Sequence, residues 1–123
     1  MRIIDEAKNI QQHLVELRRW FHRHPEIGHD LTNTRAHVLE ELKALGIPYE
    51  YVNNGGILGF LGKPGGKRIL LRADMDALPM QEETGLPFAS ENPGKMHACG
   101  HDMHITMLLG AAHLLKAHEE QNC

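Results

Sequence analysis

Apolar residues Ile3, Ala7, Ile10, Leu14, Leu17 and Phe21 recur at spacings of four, three, four, three and four, which draws one stripe on a helix. Asp5, Lys8, Gln11, Gln12 and Arg18 fall off that stripe, and Pro25 ends it by pushing its predecessor out of the helical region. Thr32, Asn33 or Thr34 then offers a cap to a second predicted helix, whose apolar positions are Val38, Leu39, Leu42 and Leu45. Gly46 and Pro48 supply its stop signal. Two short strands are predicted next, Tyr49–Val52 and Ile57–Leu61, parted by Asn53-Asn54-Gly55-Gly56. A glycine-rich turn leads to a third, Arg68–Ala73. Its centre, Ile69-Leu70-Leu71, is continuously apolar, as expected of a strand covered on both faces.

From Asp74 to Gly100 punctuation replaces periodicity, with Pro79, Gly85, Pro87, Pro93 and Gly94 along the way. Unstructured stretches of that length inside a compact domain are usually functional or disordered. A last helix is predicted from about Asp102, burying Ile105, Leu108, Leu109, Ala112 and Leu115. Helices interleaved with strands indicate an α/β layer architecture. The last helix carries no stop signal through Lys116–Cys123, and three strands make a small sheet for a buried central one. The expectation is therefore the front part of a larger domain.

A chain of 123 residues has the length of one domain. No apolar run approaches the ~18–20 residues that cross a bilayer, which removes the transmembrane class. The start turns acidic at Asp5-Glu6 without a hydrophobic signal core, so the expected location is the cytoplasm. A net charge of −3 gives no electrostatic reason for a nucleic-acid partner. Cys99 and Cys123 are too few for a disulfide scaffold and fit a reducing compartment. Ten histidines are the anomaly, and they are unevenly spread.

Two clusters carry candidate chemistry. Asp74-Met75-Asp76 follows the apolar strand at its carboxyl end, where open α/β sheets bind ligands. His97-Ala98-Cys99-Gly100-His101-Asp102-Met103-His104 brings a thiol, three imidazoles and a carboxylate to the start of the last helix. Gly100 lets the backbone bend so that Cys99 and His101 converge, and thiolate with imidazole suits Zn²⁺ or another borderline divalent ion. Asp76 either supports a ligand histidine from behind or coordinates directly. The plainer readings stand beside these. Cys99 is an inert buried thiol, Asp74 and Asp76 cap a turn, and the five methionines from Met75 to Met107 are packing. His13, His37, His113 and His118 sit on solvated helix faces, and His22-Arg23-His24 is a structural helix end. The glycine pairs are turns, because no lysine-serine or lysine-threonine step follows them to make a phosphate loop.

Three stretches together carry a resemblance. Arg18-Arg19-Trp20-Phe21-His22-Arg23-His24-Pro25-Glu26, Arg72-Ala73-Asp74-Met75-Asp76-Ala77-Leu78-Pro79 and Met96-His97-Ala98-Cys99-Gly100-His101-Asp102 resemble the opening and site motifs of one family. It is the amidohydrolase branch of the aminoacylase-like metallopeptidases, which holds hippurate hydrolases, N-acyl-amino-acid amidohydrolases and indole-acetyl-amino-acid hydrolases. Peptidase branches typically carry histidine where Asp74 stands and lack the Cys-x-His pair.

The resemblance implies an N-terminal portion of a three-layer α/β/α di-metal exopeptidase-like domain. It implies hydrolysis of small-molecule N-acyl amino acids, with two divalent ions per intact subunit, zinc or manganese. Cys99 and His101 correspond to metal ligands, and Asp76 to the carboxylate that supports the site and serves catalysis. The roles of Asp74, Asp102 and His104 stay open. Glu119-Glu120 lies in the last helix and is not the glutamate pair that relatives carry downstream. A later dimerisation domain makes the intact protein a homodimer, with no nucleic acid or membrane partner. The stretch alone is expected to be inactive. The rival readings are a di-metal dipeptidase or deacetylase of the same superfamily and a non-catalytic metal-binding relative.

Overall fold

The computed structural model describes residues 2–121, so Cys123 lies outside the described residues. Four α-helices and one hairpin follow one another: α1 (Ile3–Asn9), α2 (Gln11–Arg23), α3 (Thr32–Ala44), β1 (Tyr49–Val52), β2 (Gly56–Gly59) and α4 (His101–Ala117). Short 3₁₀ turns span Asn53–Gly55 and Glu119–Gln121.

The opening stripe is divided between two helices rather than one. At Ile10 the backbone leaves the helical region (φ −103°, ψ 8°), and its N–H reaches back only to the Ala7 carbonyl, at 3.3 Å. No residue of α1 is buried, and Ile3 and Ile4 stay exposed, so core packing does not hold α1 in line with α2. It is tied instead to the far end of the chain, where His118 Nε2 lies 2.7 Å from Glu6 Oε2.

α2, α3 and α4 enclose the core. Leu17 and Phe21 of α2, Val38, Leu39 and Leu42 of α3, Ile47, and Ile105 and Leu109 of α4 form one buried cluster. Each such side chain contributes about 1.5–3 kcal/mol by leaving water. The α2–α4 approach is close at Gly110, where a Cβ would stand 3.1 Å from a Leu14 methyl. Leu108 is only half-buried and Leu115 is exposed, so the last helix buries a narrower stripe than its pattern predicts. Trp20 stacks on His37 at 3.8 Å between ring centres, which covers that imidazole from solvent.

Both ends of α3 have a physical account, and one differs from the sequence reading. None of Thr32, Asn33 and Thr34 caps the helix. The cap position is Leu31, which makes no side-chain cap bond. Glu26, buried in the preceding loop, does the work by accepting the N–H groups of Asn33 (3.2 Å) and Thr34 (2.6 Å). These are donors that no intrahelical carbonyl can satisfy, and a carboxylate is favoured there by the helix dipole. The C-terminus is a Schellman turn: Gly46 (φ 70°) donates to the Lys43 carbonyl at 3.0 Å, and Ile47 to that of Leu42 at 2.9 Å. α4 stops at Ala117 without a glycine. Glu119 then lies outside the helix, in the following 3₁₀ turn, paired with Lys116 Nζ at 2.6 Å and accepting the Gly62 N–H at 3.4 Å.

The sheet is a two-stranded antiparallel hairpin running in register from Tyr49 opposite Gly59 to Val52 opposite Gly56. Leu61 falls outside the second strand. The predicted third strand, Arg68–Ala73, is not a strand here: Ile69 is 88%, Leu70 73% and Leu71 53% exposed. A ladder needs a neighbour, and among the described residues no strand lies alongside Arg68–Ala73 to bond it. Apolar character alone does not create an extended pair.

The stretch from Asp74 to Gly100 has little regular structure but is well anchored. Leu78 and Met96 exchange both backbone hydrogen bonds, at 2.9 and 3.0 Å. Ala77 donates to the Glu26 carbonyl (2.7 Å) and Glu91 to that of Arg23 (2.8 Å). Phe88 lies beneath the guanidiniums of Arg18 and Arg19. Of the methionines read as packing, Met75 meets the core, whereas Met80, Met103 and Met107 are exposed.

Removal of the remote cap by Glu26→Ala is expected to lower stability by about 1–2 kcal/mol in urea denaturation. Thr32→Ala, at the cap position read from the sequence, is expected to change it by less than about 0.5 kcal/mol. The reverse order would contradict this account of the helix start.

Candidate functional site

The two predicted clusters meet at the first residue of α4. Gly100 adopts the left-handed region (φ 115°), which an L side chain would rarely tolerate, and this corner turns His101 back toward the loop after Arg72. His101 Nδ1 lies 2.8 Å from the Asp76 carbonyl oxygen and 3.1 Å from Asp76 Oδ1. Both neighbours are acceptors, so the proton sits on Nδ1 and the Nε2 lone pair is left available. Asp74 Oδ2 stands 3.8 Å from that Nε2. Asp74 is held from its other side by Arg72 Nη2 at 2.8 Å, and this hydrogen bond with the guanidinium charge keeps its carboxyl below the usual range. Asp76 thus reaches across to His101, whereas the hydrogen bond of Asp74 is local, to Arg72.

Cys99 is a free, exposed thiol, not an inert buried one. It flanks the corner, but Cys99, His101 and Asp76 do not form a tight three-ligand group. Among the described residues, such a group within 4.8 Å occurs elsewhere, at His13, Glu41 and His113. His104, one turn along α4, has its ring centre 5.8 Å from that of His101. An imidazole with a free nitrogen, an accessible thiol and two carboxylates is a donor set that fits a borderline divalent cation.

Asp102 points the other way. Its side chain is 1% exposed, and Oδ2 accepts from Arg18 Nε and lies against His22 Nδ1, both at 2.8 Å. Burial alone would raise this carboxyl, but the His22 and Arg18 hydrogen bonds outweigh it and hold it ionised and low. On the far side of the ring, His22 Nε2 lies 2.9 Å from Glu82 Oε1, a close polar contact without good hydrogen-bond alignment. Burial would likewise raise Glu82, yet Thr84, the Ser90 N–H and His22 together keep it low. The Arg-x-x-x-His pattern of Arg18 and His22 is thus a bracket for the α4 start. The structural reading of His22 holds, and so does that of His24, whose Nδ1 meets the Trp20 carbonyl at 2.7 Å.

His97 is buried, and neither ring nitrogen has a hydrogen-bond partner among the described residues. Desolvation, the dominant effect, pushes its pKa down to about 4. It is a neutral imidazole packed behind the corner.

Two placements had no signal in the pattern. Glu26 as a cap is distant from the usual cap position. His13, Glu41 and His113 converge from three helices, so His113, at 21% side-chain exposure, departs from the solvated face read from the sequence, whereas His13 keeps 43% of its side chain exposed. His37 and His118 are also half-buried and engaged.

The buried His97 generates a pH prediction. Its folded pKa of about 4 lies below the ordinary 6.5, so the unfolded chain binds the proton more readily between those values. The associated stability is full above about pH 6.5 and is lost as pH falls toward 4, a difference of order 3 kcal/mol. His97→Leu is expected to flatten that slope in thermal melts. An unchanged slope would contradict the assignment.

Residues 70–123 match the model of peptidase family M20/M25/M40. The chain is 50% identical over 109 residues to IAA-amino acid hydrolase ILR1-like 4 of Arabidopsis thaliana, covering 88% of this chain and 25% of that protein. It is 42% identical over 113 residues to N-acetyl-L-cysteine deacetylase of Bacillus subtilis, covering 90% of this chain and 27% of that protein. Among solved structures, the Bacillus subtilis YXEP protein, a dinuclear metal binding peptidase from the M20 family, superposes with a TM-score of 0.85 at 38% identity. That superposition covers 91% of this chain and 32% of the other. The chain spans about a quarter of the length of the curated relatives it matches. A family match across the site segment stands with sequence and backbone likeness over nine-tenths of the chain: residues 70–123 match peptidase family M20/M25/M40, and the described fold is similar to that of an M20 peptidase.

Proposed function

We propose that residues 1–123 form the N-terminal portion of a di-metal catalytic domain that hydrolyses the amide bond of N-acyl amino acids. The observation that carries this reading is the His101 ring, fixed through Nδ1 by Asp76 with Nε2 left bare. Cys99 and His101 would hold a divalent ion, zinc or manganese, and Asp76 would support it from behind. Such ions polarise the amide carbonyl and acidify a bound water.

This chain's own contribution is positional. Asp76 keeps the His101 proton on Nδ1. Gly100 sets the corner, and Arg72 holds the Asp74 carboxylate ionised beside Nε2. Asp102 locks the start of α4 against α2. The general base belongs to a downstream glutamate in this reading.

A cavity of about 650 Å³ bordered by Leu42, Ile57, Leu70, Ile105, Leu109 and Ala112 supports incompleteness, since Ile69–Leu71 faces open space there. Further strands of the domain would fill it. Hydrolysis of indole-acetyl or hippurate-like amides follows the plant relatives, and deacetylation of an N-acetyl amino acid follows the Bacillus deacetylase. The intact protein is read as a cytoplasmic homodimer with no nucleic-acid or membrane partner. No helix among the described residues is long and apolar enough to cross a membrane.

A polypeptide of the relatives' full length is expected to hydrolyse hippurate, an indole-acetyl amino acid or an N-acetyl amino acid, and to lose that activity to a chelator. Equal rates with and without chelator would overturn the proposal, and the preferred substrate separates the two amide classes. Asp76→Asn in that polypeptide is expected to lower activity about 10–100-fold, recovered in part by added metal. The 123-residue chain alone is expected to show no turnover, and chelator-sensitive turnover by it would contradict the partial-domain reading.

A further inference from the structure

We infer that His13, Glu41 and His113 form a second metal-binding site, separate from the Cys99–His101 corner, which takes a zinc-like divalent cation and clips α2, α3 and α4 together. His13 Nε2 lies 2.9 Å and His113 Nε2 3.1 Å from the same oxygen, Oε2 of Glu41. The two rings meet edge to face, with centres 5.3 Å apart. One atom from each side chain falls within 4.8 Å of the others, a convergence reached by no other histidine, cysteine or carboxylate trio among the described residues.

The donor set has the chemistry of a zinc site. Zinc takes imidazole nitrogen and carboxylate oxygen at about 2.0–2.2 Å, so tetrahedral ligand atoms stand about 3.3 Å apart. The observed N···O separations fall short of that by a few tenths of an ångström, an opening that side-chain torsions supply without moving a helix. Three protein ligands leave a fourth position for water. Glu41 is only 15% exposed and His113 21%, while His13 at 43% leaves an entry path. Although burial pushes the Glu41 carboxyl up, the His13 and His113 hydrogen bonds outweigh it, so the ligand is an anion ready for a cation.

The arrangement is also economical in what it joins. The three residues lie on three different helices, 28 and 72 positions apart along the chain, around the end of the core distant from His101. Without an ion, two imidazole donors crowd one carboxylate oxygen. With one, each nitrogen lone pair and the carboxylate face the cation, and the three helices gain a shared tie. Binding to the folded state alone adds to stability.

The test is zinc binding by the 123-residue chain in a Cys99→Ser/His101→Asn background, which silences the other corner. One zinc ion per chain is expected in equilibrium dialysis, with a rise in the unfolding midpoint. With Co²⁺ in its place, visible d–d bands without thiolate charge transfer are expected. Adding His13→Gln and His113→Gln is expected to abolish the bound ion, the midpoint rise and the bands, while the far-ultraviolet circular dichroism stays unchanged. Absence of zinc binding in the background variant, or its persistence after both glutamine substitutions, overturns the inference. Because lost folding would also abolish binding, imidazole NMR of the unsubstituted chain supplies the second readout. Zinc is expected to shift the ring signals of His13 and His113, and a titration that leaves both unmoved overturns the site.

Discussion

One buried carboxylate organises this structure. Asp102 sits in the first turn of α4, almost wholly removed from water, with Arg18 and His22 of α2 against the same oxygen. Removing a partner from such a group typically costs about 3–5 kcal/mol, far more than a surface pair contributes. The consequence is geometric as well as energetic. Because Asp102 is pinned inward, the preceding residue, His101, is set about 100° round the helix start, and the left-handed Gly100 lets the chain reach it. The ring then finds Asp76. A buried anchor and a half-buried side chain that reaches Asp76, on consecutive residues, are two outcomes of one constraint.

The loop before α4 extends the same logic. Glu82 closes the far side of the His22 ring, and Phe88 fills the space under Arg18 and Arg19. Glu26 caps α3 through its side chain while its carbonyl receives Ala77. A segment without regular structure is thereby held by side chains of the Arg18–Glu26 stretch. The motif residues of that stretch make sense as brackets rather than as ligands.

Local rules made much of the fold legible. The stop at Gly46 and the strand at Tyr49–Val52 followed from turn chemistry and residue type, and the helical stretches from periodicity. The meeting of Asp76 with His101, beside Cys99, was legible because the three combine in motifs with specific spacing. What escaped were features decided across distance. Ile10 carries no helix-breaking signal, and α1 parts from α2 because nothing buries it. The α3 cap comes from Glu26, several residues before any cap position. Ile69-Leu70-Leu71 has the composition of a central strand, but a strand exists only with a neighbour to bond. His13, Glu41 and His113 meet only after three helices pack, so no spacing along the chain announces them.

The central claim is that the Asp102 anchor presents His101 to Asp76 with the proton on Nδ1 and Nε2 bare. Nitrogen-15 NMR of the His101 ring at neutral pH, compared with Asp102→Asn, tests it most directly. The account predicts the Nδ1–H tautomer in the unsubstituted chain and a mixture of tautomers once the anchor is weakened. A ring protonated on Nε2 in the unsubstituted chain, or one indifferent to the loss of the carboxylate charge, would contradict it.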